Sequence, residues 1–409
     1  MGLRLPIAPA FHLLHLGFPA ASILLYVCFT LLGGVAAAQP AAPQAAITTK
    51  AKHAVLMDAE SGAVLFQYQA DELTHPASMS KLMTLTLVFK ALKAGTLKST
   101  DEITMSENAW RTGGAPSGTS AMFVPINEKA SVEEMLQGII VQSGNDACIA
   151  LGEHMAGSED AFAQQMTAEA RRIGLKKSTF RNATGLPNAE HLVTVRELAD
   201  LARYLIREYP DRFAMFAQRE FKYRKHKFIN RNPLLFLDIG ADGMKTGYTK
   251  EAGYGIVGTA TQDGKRLIVV VNGLENGNDR RDEAKKLLEW GFRSFAAFKL
   301  FKPDEVVGSA RVWGGDRFYL PLVGKEGVAV LLPRYPANQK LTAEIIYQGP
   351  LKPPIKRGDQ VARLRVVSSS SASNEVPLYA AEDIEKAGIM RQGLDSLVHL
   401  ALDWIKLKM

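Results

Sequence analysis

The sequence of 409 residues contains only two cysteines, Cys28 and Cys148. Cys28 lies in an N-terminal segment that we predict to be removed, which leaves a single thiol in the mature chain. A single thiol excludes an intramolecular disulfide, so the folded chain must rely on its hydrophobic core. Cys148 stands in an apolar helical pattern and is predicted to be a buried structural thiol rather than a nucleophile or metal ligand.

Other patterns that carry chemistry are missing too. The sequence has no cluster of metal-ligating residues and no glycine-rich phosphate-binding loop, so we expect no metal and no other cofactor. Four basic residues between positions 222 and 227 alternate with aromatic ones, which is typical of a half-exposed strand. No nucleic-acid-binding motif accompanies them, so we expect no nucleic-acid partner.

An apolar run of thirteen residues, 23–35, lies near the N-terminus and is followed by Ala36-Ala37-Ala38. This order is typical of a secretory signal peptide with its cleavage site, which predicts an exported protein; an uncleaved membrane helix is the alternative. Arg4 is the only charged residue before Gln39, so cleavage after Ala38 lowers the formal net charge from +7 to +6. A basic excess favours anionic surfaces such as phospholipid or wall polymers.

Ser78 and Lys81 stand three residues apart at the head of a strongly apolar stretch. Three residues make about one helical turn, so both side chains share one face. A serine hydroxyl is a poor nucleophile near neutral pH, and a neutral lysine amine within hydrogen-bond reach is able to activate it. By itself the pair is weak evidence, because a helix-capping serine followed by an exposed lysine has the same spacing.

Two further segments strengthen the interpretation. Ser143-Gly144-Asn145 follows an apolar run, and Lys245-Thr246-Gly247 precedes a glycine-rich strand pattern. The order Ser-x-x-Lys, Ser-x-Asn, Lys-Thr-Gly is typical of class A β-lactamases and penicillin-binding proteins.

Together with the resemblance of the three motifs to those enzymes, the hydrophobic pattern indicates an α/β (α+β) catalytic domain of the β-lactamase/transpeptidase-like type, in which an antiparallel sheet is combined with a helical subdomain. Two strands are expected at 54–57 and 63–67, a buried helix from Ser78 to a C-cap at Gly95, and helices between 132 and 185. An Asp-Gly turn joins two β-branched runs, 256–261 and 266–271, which predicts a hairpin beside Lys245-Thr246-Gly247. A helix is expected over 281–295.

The composition then changes to short strands with turns, which predicts a small all-β domain of the β-sandwich type. Its strands are expected at 305–312, 317–321, 328–332, 341–347, 361–367 and 376–379, and the serine-rich stretch 368–374 is expected to be a hairpin loop. The predicted divisions are a signal peptide at 1–38, a catalytic domain at 39–297, the β domain at 298–382 and a C-terminal amphipathic helix at 383–409.

The C-terminal segment has apolar residues at helical spacing, among them Leu397, Trp404 and Ile405. It is too short to span a bilayer, which needs about 20 apolar residues, but a tryptophan and lysines near its end suit the membrane surface. We expect a helix that lies flat on the inner membrane, on its periplasmic face. Docking onto the β domain is the alternative, which Asp403 in the middle of the segment favours.

On these motifs the chain resembles the low-molecular-weight penicillin-binding proteins, which are serine-type D-alanyl-D-alanine carboxypeptidases. Residues 143–148, 230–232 and 285–292 resemble that family as well, and the resemblance extends over nearly the whole predicted mature chain. It implies an enzyme that removes the terminal D-alanine from peptidoglycan stem peptides through an acyl-enzyme and is acylated by β-lactams.

The resemblance also implies roles for individual residues. Ser78 would be the nucleophile and Lys81 the general base, its pKa lowered by partial burial and by the charge of Lys245. Ser143 would relay a proton to the leaving amine, and Asn145 would hold Lys81 and the substrate amide.

The remaining implied roles concern substrate binding. Lys245, Thr246 and Gly247, assisted by Arg266, would face the substrate carboxylate. The backbone N–H groups of Ser78 and Tyr248 would form an oxyanion hole, worth on the order of 3 kcal/mol per donor. Tyr248 stands where the family often has histidine, so the resemblance does not predict the rate or the pH optimum of this chain. A structural ion pair is the alternative for Arg266 and for Arg231.

Three other functions share parts of this pattern. A β-lactamase would need an efficient deacylating base, and no Glu-x-x-x-Asn segment between Ser143 and Lys245 fits that role. A D,D-endopeptidase has closely similar chemistry, and the sequence separates it poorly. A non-catalytic penicillin sensor would need a connection to a signalling domain through a membrane helix.

Overall fold

The computed structural model describes residues 4–6, 47–334, 341–368 and 373–388. The predicted signal peptide, apart from residues 4–6, lies outside the described residues, as do residues 369–372 of the serine-rich stretch and residues 389–409 of the predicted C-terminal helix. Among the described helices none is long and apolar enough to cross a membrane.

Helices and strands alternate up to residue 294, and the described residues beyond it form strands. The strands are β1 Arg4–Pro6, β2 His53–Asp58, β3 Val64–Tyr68, β4 Glu102–Thr104, β5 Lys129–Ser131, β6 Glu220–Tyr223, β7 His226–Ile229, β8 Ala241–Thr249, β9 Gly253–Gln262, β10 Lys265–Leu274, β11 Phe295–Phe301, β12 Val306–Arg311, β13 Tyr319–Val323, β14 Val328–Pro333, β15 Leu341–Ile346, β16 Gln360–Ser368 and β17 Ser373–Ala380. The α-helices are α1 Lys81–Ala94, α2 Val132–Gln137, α3 Asn145–Ala156, α4 Glu159–Arg172, α5 Val195–Glu208, α6 Pro210–Phe213 and α7 Gly277–Ser294.

A five-stranded antiparallel sheet forms the centre of the catalytic domain, in the order β3-β2-β10-β9-β8. Side chains alternate between its two faces, as the two-residue period of a strand requires. Val55 and Met57 of β2 join the core that contains α1 and the helical subdomain, whereas Leu56 joins the core under α7. The sheet is therefore covered on both faces, and β8 is left as an edge strand.

Helix α1 is buried around most of its circumference, as its sequence predicts. Its residues from Lys81 to Phe89 are all buried, and Gly95 ends the helix in a left-handed conformation with φ 73°. Glycine accepts this conformation without steric cost, which explains its place at the helix end. The turn that precedes the N-terminus of α1 packs against the edge strand β8.

The helical subdomain is formed mainly by α2, α3 and α4. Ser131 caps α2 in a capping box with Glu134, and Ser158 caps α4 by accepting from the N–H of Ala161. Between α2 and α3 the chain makes a π-helical turn, 138–142, that ends at Ser143. This turn places Ser143 and Asn145 at the side of the subdomain nearest α1.

The C-terminal domain is all-β, as predicted, and each of the six predicted strands is present within two to three residues. A six-stranded sheet has the order β1-β15-β16-β17-β13-β12, and β11 pairs with β14 beside it. The serine-rich stretch joins β16 to β17, which pair antiparallel.

The structure differs from the prediction in two regions. Helix α7 covers Gly277–Ser294 instead of 281–295, and the apolar stretch after it forms strand β11, which was not predicted. At the other end, Ile384 bridges Ile355 and Lys386 bridges Gly315, so residues 383–388 belong to the β domain and not to a helix. A run such as Phe-Ala-Ala-Phe is compatible with either period, so the sequence alone does not place the first boundary.

Candidate active site

Ser78 lies in a 3-10 turn, Ala77–Ser80, that leads directly into α1. In such a turn residues i and i+3 lie one above the other. The Nζ atom of Lys81 lies 3.0 Å from Ser78 Oγ, so the predicted pair is in hydrogen-bond contact. Ala77, just before the serine, has φ 47°, a left-handed conformation that is rare for residues other than glycine and is typical of functional turns.

Lys81 is completely buried, not partly buried as predicted. Burial lowers its pKa to about 8, and the charge of Arg231 acts in the same direction. Glu159 and Asp146 act in the opposite direction. A lysine with this pKa has a substantial neutral fraction near neutral pH, which is what a general base requires.

Three oxygen atoms surround the amine of Lys81. Besides Ser78 Oγ, these are Asn145 Oδ1 at 2.6 Å and the backbone carbonyl of Thr184, which forms a very short contact. Asn145 is fixed in turn, because its Nδ2 donates to Thr119 Oγ1 at 2.9 Å. The amine is therefore aimed at Ser78 by two acceptors on different segments of the chain.

Ser143 has φ 67° and is almost fully buried. Among the described residues its Oγ has no hydrogen-bond partner. A buried hydroxyl without a partner is unfavourable unless it serves a ligand or a water molecule. The structure thus leaves the Ser143 hydroxyl available for a proton-transfer role.

Lys245, Thr246 and Gly247 lie on the edge strand β8, against the turn that carries Ser78. A Cβ atom on Gly247 would lie 2.9 Å from the carbonyl oxygen of Pro76, so only glycine allows this approach. Lys245 is buried, and its pKa is lowered well below the ordinary value by burial first and by the charge of Lys81 second. Tyr248 is 54% exposed and stacks on Tyr254 with ring centroids 4.2 Å apart.

The structure does not place Arg266 with these residues. Lys245 pairs with Val257, which pairs with Val270, and Arg266 lies four residues further along β10, about 13 Å away at 3.3 Å per residue. Its guanidinium is bound to Asp242 at 2.6 Å and stacks over Phe213. The structure therefore contradicts the prediction that Arg266 assists carboxylate recognition. It shows instead the alternative, a structural ion pair, formed with Asp242.

Arg280, which was not predicted from the sequence, lies closer to Lys245 than Arg266 does, since its charge acts on that lysine. It lies in the first turn of α7 with its guanidinium carbon 5.5 Å from the Tyr254 ring, and its positive charge contributes to the low pKa of Lys245. Its buried Nε has no hydrogen-bond partner among the described residues. No spacing in the sequence marks it, because its position depends on how α7 packs on β9.

A second missed element is the loop that contains Thr184. Asn182 Oδ1 accepts hydrogen bonds from the N–H groups of Thr184 and Gly185, at 3.2 and 2.7 Å. Glu159 accepts from the N–H of Ala183 at 2.9 Å, which ties the loop to α4. A backbone carbonyl carries no residue-type signal, although Asn-Ala-Thr-Gly is a turn pattern.

The site is rich in positive charge. Lys81, Lys245, Arg231 and Arg280 lie around it, and in the described part of the chain none of them forms an ion pair with an acidic side chain. Arg231 donates to Ser120 Oγ at 2.7 Å. Lys245 is buried, Arg280 is half-buried and Arg231 is exposed. A buried cation without an acidic partner is unfavourable unless a ligand supplies the negative charge, so the site is suited to a carboxylate.

Cys148 is fully buried on α3, as predicted. Burial raises the pKa of its thiol to about 12, so it is almost entirely protonated at neutral pH and a poor nucleophile. Within the described ranges no group of three or more His, Cys, Asp or Glu side chains is placed to hold a metal ion.

Comparisons with known proteins agree with this geometry. Residues 36–276 match the family model described as D-alanyl-D-alanine carboxypeptidase, and residues 295–386 match the C-terminal domain of penicillin-binding protein 5. The D-alanyl-D-alanine carboxypeptidase DacC of Escherichia coli is 37% identical over 352 residues, which cover 86% of this chain and 88% of that protein.

Two solved structures are similar in fold as well. The crystal structure of penicillin-binding protein 5 from Haemophilus influenzae superimposes with a TM-score of 0.72 at 32% identity, covering 84% of this chain and all of that one. Penicillin-binding protein D2 from Listeria monocytogenes, in its ampicillin-bound form, gives a TM-score of 0.55 at 29% identity and covers 60% of this chain and 99% of that one.

Proposed function

The chain belongs to the D-alanyl-D-alanine carboxypeptidase family, and from that premise we propose that it removes the terminal D-alanine from peptidoglycan stem peptides through an acyl-enzyme on Ser78. The protein is a serine-type hydrolase. The observation that carries the assignment of Ser78 is its 3.0 Å contact with a fully buried lysine whose pKa is about 8.

In the first step the neutral amine of Lys81 takes the proton from Ser78 Oγ, and Oγ attacks the carbonyl carbon between the two D-alanines. The backbone N–H groups of Ser78 and Tyr248 stabilise the resulting oxyanion. The position of β8 supports this role, because the outer side of an edge strand has backbone N–H groups that no neighbouring strand uses.

In the second step the C–N bond breaks, and the leaving amine receives the proton held by Lys81. Ser143 relays that proton, a role supported by its buried hydroxyl without another partner in the described part of the chain. Water then attacks the ester with Lys81 again acting as base, which releases the shortened peptide and restores Ser78.

Selection of a free C-terminus follows from the positive charge of the site. Lys245, Thr246 and Arg280 bind the carboxylate of the departing D-alanine, while Arg231 adds to the positive potential. An internal peptide bond lacks that carboxylate and leaves Lys245 and Arg280 without an acidic partner. The same cations thus favour carboxypeptidase action over cleavage within a chain.

A β-lactam presents a strained amide together with a carboxylate and so meets the same groups. The Listeria protein has been solved in ampicillin-bound and cefotaxime-bound forms. We infer that in this chain Ser78 opens the lactam ring and retains the acyl group.

We also propose export and attachment to the periplasmic face of the inner membrane. The signal-peptide pattern and the apolar pattern of the C-terminal segment support this location. Both features lie outside the described residues, apart from the strand β1 and residues 383–388.

One experiment tests the proposed activity. Purified chain beginning at Gln39 is incubated with a pentapeptide ending in D-Ala-D-Ala, and free D-alanine is measured for the wild type and for Ser78→Ala. Release by the wild type alone, with covalent penicillin labelling lost in Ser78→Ala, supports the proposal. A penicillin adduct found on Ser80 or Ser143 by peptide mass spectrometry contradicts the assignment of the nucleophile.

A further inference from the structure

A cleft of about 330 Å³ opens beside the turn that carries Ser78. Ala77 and His75 form one wall, Leu186 and His191 a second, and Thr249 and Glu251 a third. The volume is at the small end of clefts that bind small ligands. Three segments that build the catalytic site thus also build this cleft.

The direction of the bound peptide points toward this cleft. With its carboxylate at Thr246 and its scissile carbonyl at the N–H of Tyr248, the substrate runs along β8 from Lys245 toward Thr249. Each further residue of an extended chain adds about 3.3 Å in that direction. The residue that precedes the two D-alanines therefore reaches the end of β8, where Thr249 and Glu251 line the cleft.

Among the described residues that line the cleft, Glu251 is the only acidic one. Its side chain is exposed and, among the described residues, forms neither a hydrogen bond nor an ion pair. No partner in the described part of the chain therefore uses this carboxylate, and no lysine or arginine lines the cleft beside it.

The histidine at the back of the cleft does not oppose a bound cation. Burial lowers the pKa of His191 to about 4, so its ring is neutral near pH 7. The N–H of Arg181 points to its Nδ1 at 3.4 Å, and its Nε2 has no partner among the described residues. The cleft thus combines a neutral polar wall with a free carboxylate.

We propose that this cleft is a specificity subsite for a side chain that ends in a primary ammonium group, the side chain of a diamino acid residue immediately before the two D-alanines, and that Glu251 is the residue that selects it. The inference rests on the proposed function, since it uses the direction in which the substrate runs. The apolar wall at Leu186 accommodates the methylene groups of such a side chain, and Glu251 pairs with its charge.

The test compares two peptides that differ only in that charge, Nα-acetyl-Lys-D-Ala-D-Ala and Nα,Nε-diacetyl-Lys-D-Ala-D-Ala. The ratio of their kcat/KM values for D-alanine release is measured for the wild type, Glu251→Gln, Glu251→Lys and Glu326→Gln. Glu326 is an exposed carboxylate of the C-terminal domain, so its variant repeats the change in net charge away from the cleft.

We expect the wild type and Glu326→Gln to prefer the free amine by about twofold to fivefold, the contribution of a partly exposed ion pair. Glu251→Gln should bring the ratio to about one and Glu251→Lys should invert it, and added salt should reduce the wild-type preference. Equal ratios in the wild type and Glu251→Gln overturn the subsite while the proposed function stands. Absence of D-alanine release from both peptides in the wild type overturns the proposed function and the subsite with it.

Discussion

A Cβ atom on Gly185 would lie 1.9 Å from the carbonyl oxygen of Ala77, so the loop that binds Lys81 touches the turn that carries Ser78. Gly185 also has φ 79°, which only glycine adopts readily. The contact makes the position of the base depend on the position of the nucleophile.

We expect Gly185→Ala to destabilise the protein by about 2 kcal/mol or more and to slow acylation of Ser78, since the clash adds to the cost of the backbone conformation. Thermal unfolding and the rate of labelling by a fluorescent penicillin measure the two effects. Gly157→Ala is the matched control, because Gly157 has φ 82° and open space where the Cβ would lie. If both variants behave alike, the contact with Ala77 has no importance of its own.

The pKa of Lys81, about 8, predicts how acylation depends on pH. Lys81 acts as a base only when neutral, so the acylation rate should rise as the pH increases through about 8. Removing a neighbouring negative charge should move this rise to lower pH, and removing a positive charge should move it to higher pH, by roughly a few tenths of a unit each.

Glu159→Gln and Arg231→Gln should shift the pH profile in opposite directions, since Glu159 raises the pKa of Lys81 and Arg231 lowers it. The measurement is the pH profile of penicillin acylation for both variants and the wild type. Shifts in the same direction, or no shift, would show that another group controls the profile.

Arg280 and Arg266 provide a second comparison. Arg280→Gln should reduce kcat/KM for a peptide with a free C-terminal carboxylate about tenfold more than for its amidated analogue, because a charge-assisted hydrogen bond is lost only with the former. Lys245→Gln should likewise reduce the difference in kcat/KM between the peptide with a free carboxylate and its amidated analogue. Arg266→Gln should instead lower stability without changing the preference, since Arg266 pairs with Asp242. An equal preference in Arg280→Gln and the wild type would leave carboxylate selection to Lys245 and Thr246.

Removal of residues 393–409 should release the mature protein from membranes with its hydrolytic activity retained. Cell fractionation followed by an assay of D-alanine release measures both properties. A truncated protein that stays in the membrane fraction would mean that an uncleaved N-terminal segment is the anchor, and the predicted cleavage after Ala38 would then be wrong.

The sequence correctly predicted which residues come together where those residues are close in the chain. Ser78 and Lys81 meet within one turn, and Lys245 lies on a strand whose hairpin partner follows directly, so local patterns were sufficient. Arg266 was chosen because it follows the Asp-Gly turn, but which residue of a hairpin faces a site depends on register and on the elements packed above it. Arg280 is brought to the site by the docking of α7, and Thr184 contributes a backbone atom. Neither contribution has a sequence signal.

The buried thiol of Cys148 has a consequence for measurement. It is inaccessible and fully protonated in the folded protein, and it stands one helical turn after Asn145, the side chain that holds Lys81. A thiol reagent therefore modifies Cys148 only when α3 separates transiently from the core, which makes its modification rate a reporter of local opening. The native chain therefore contains its own probe of how often α3, which carries Asn145, separates from the core. Comparing the rate of Cys148 modification with and without bound β-lactam gives the extent to which acylation suppresses this local opening.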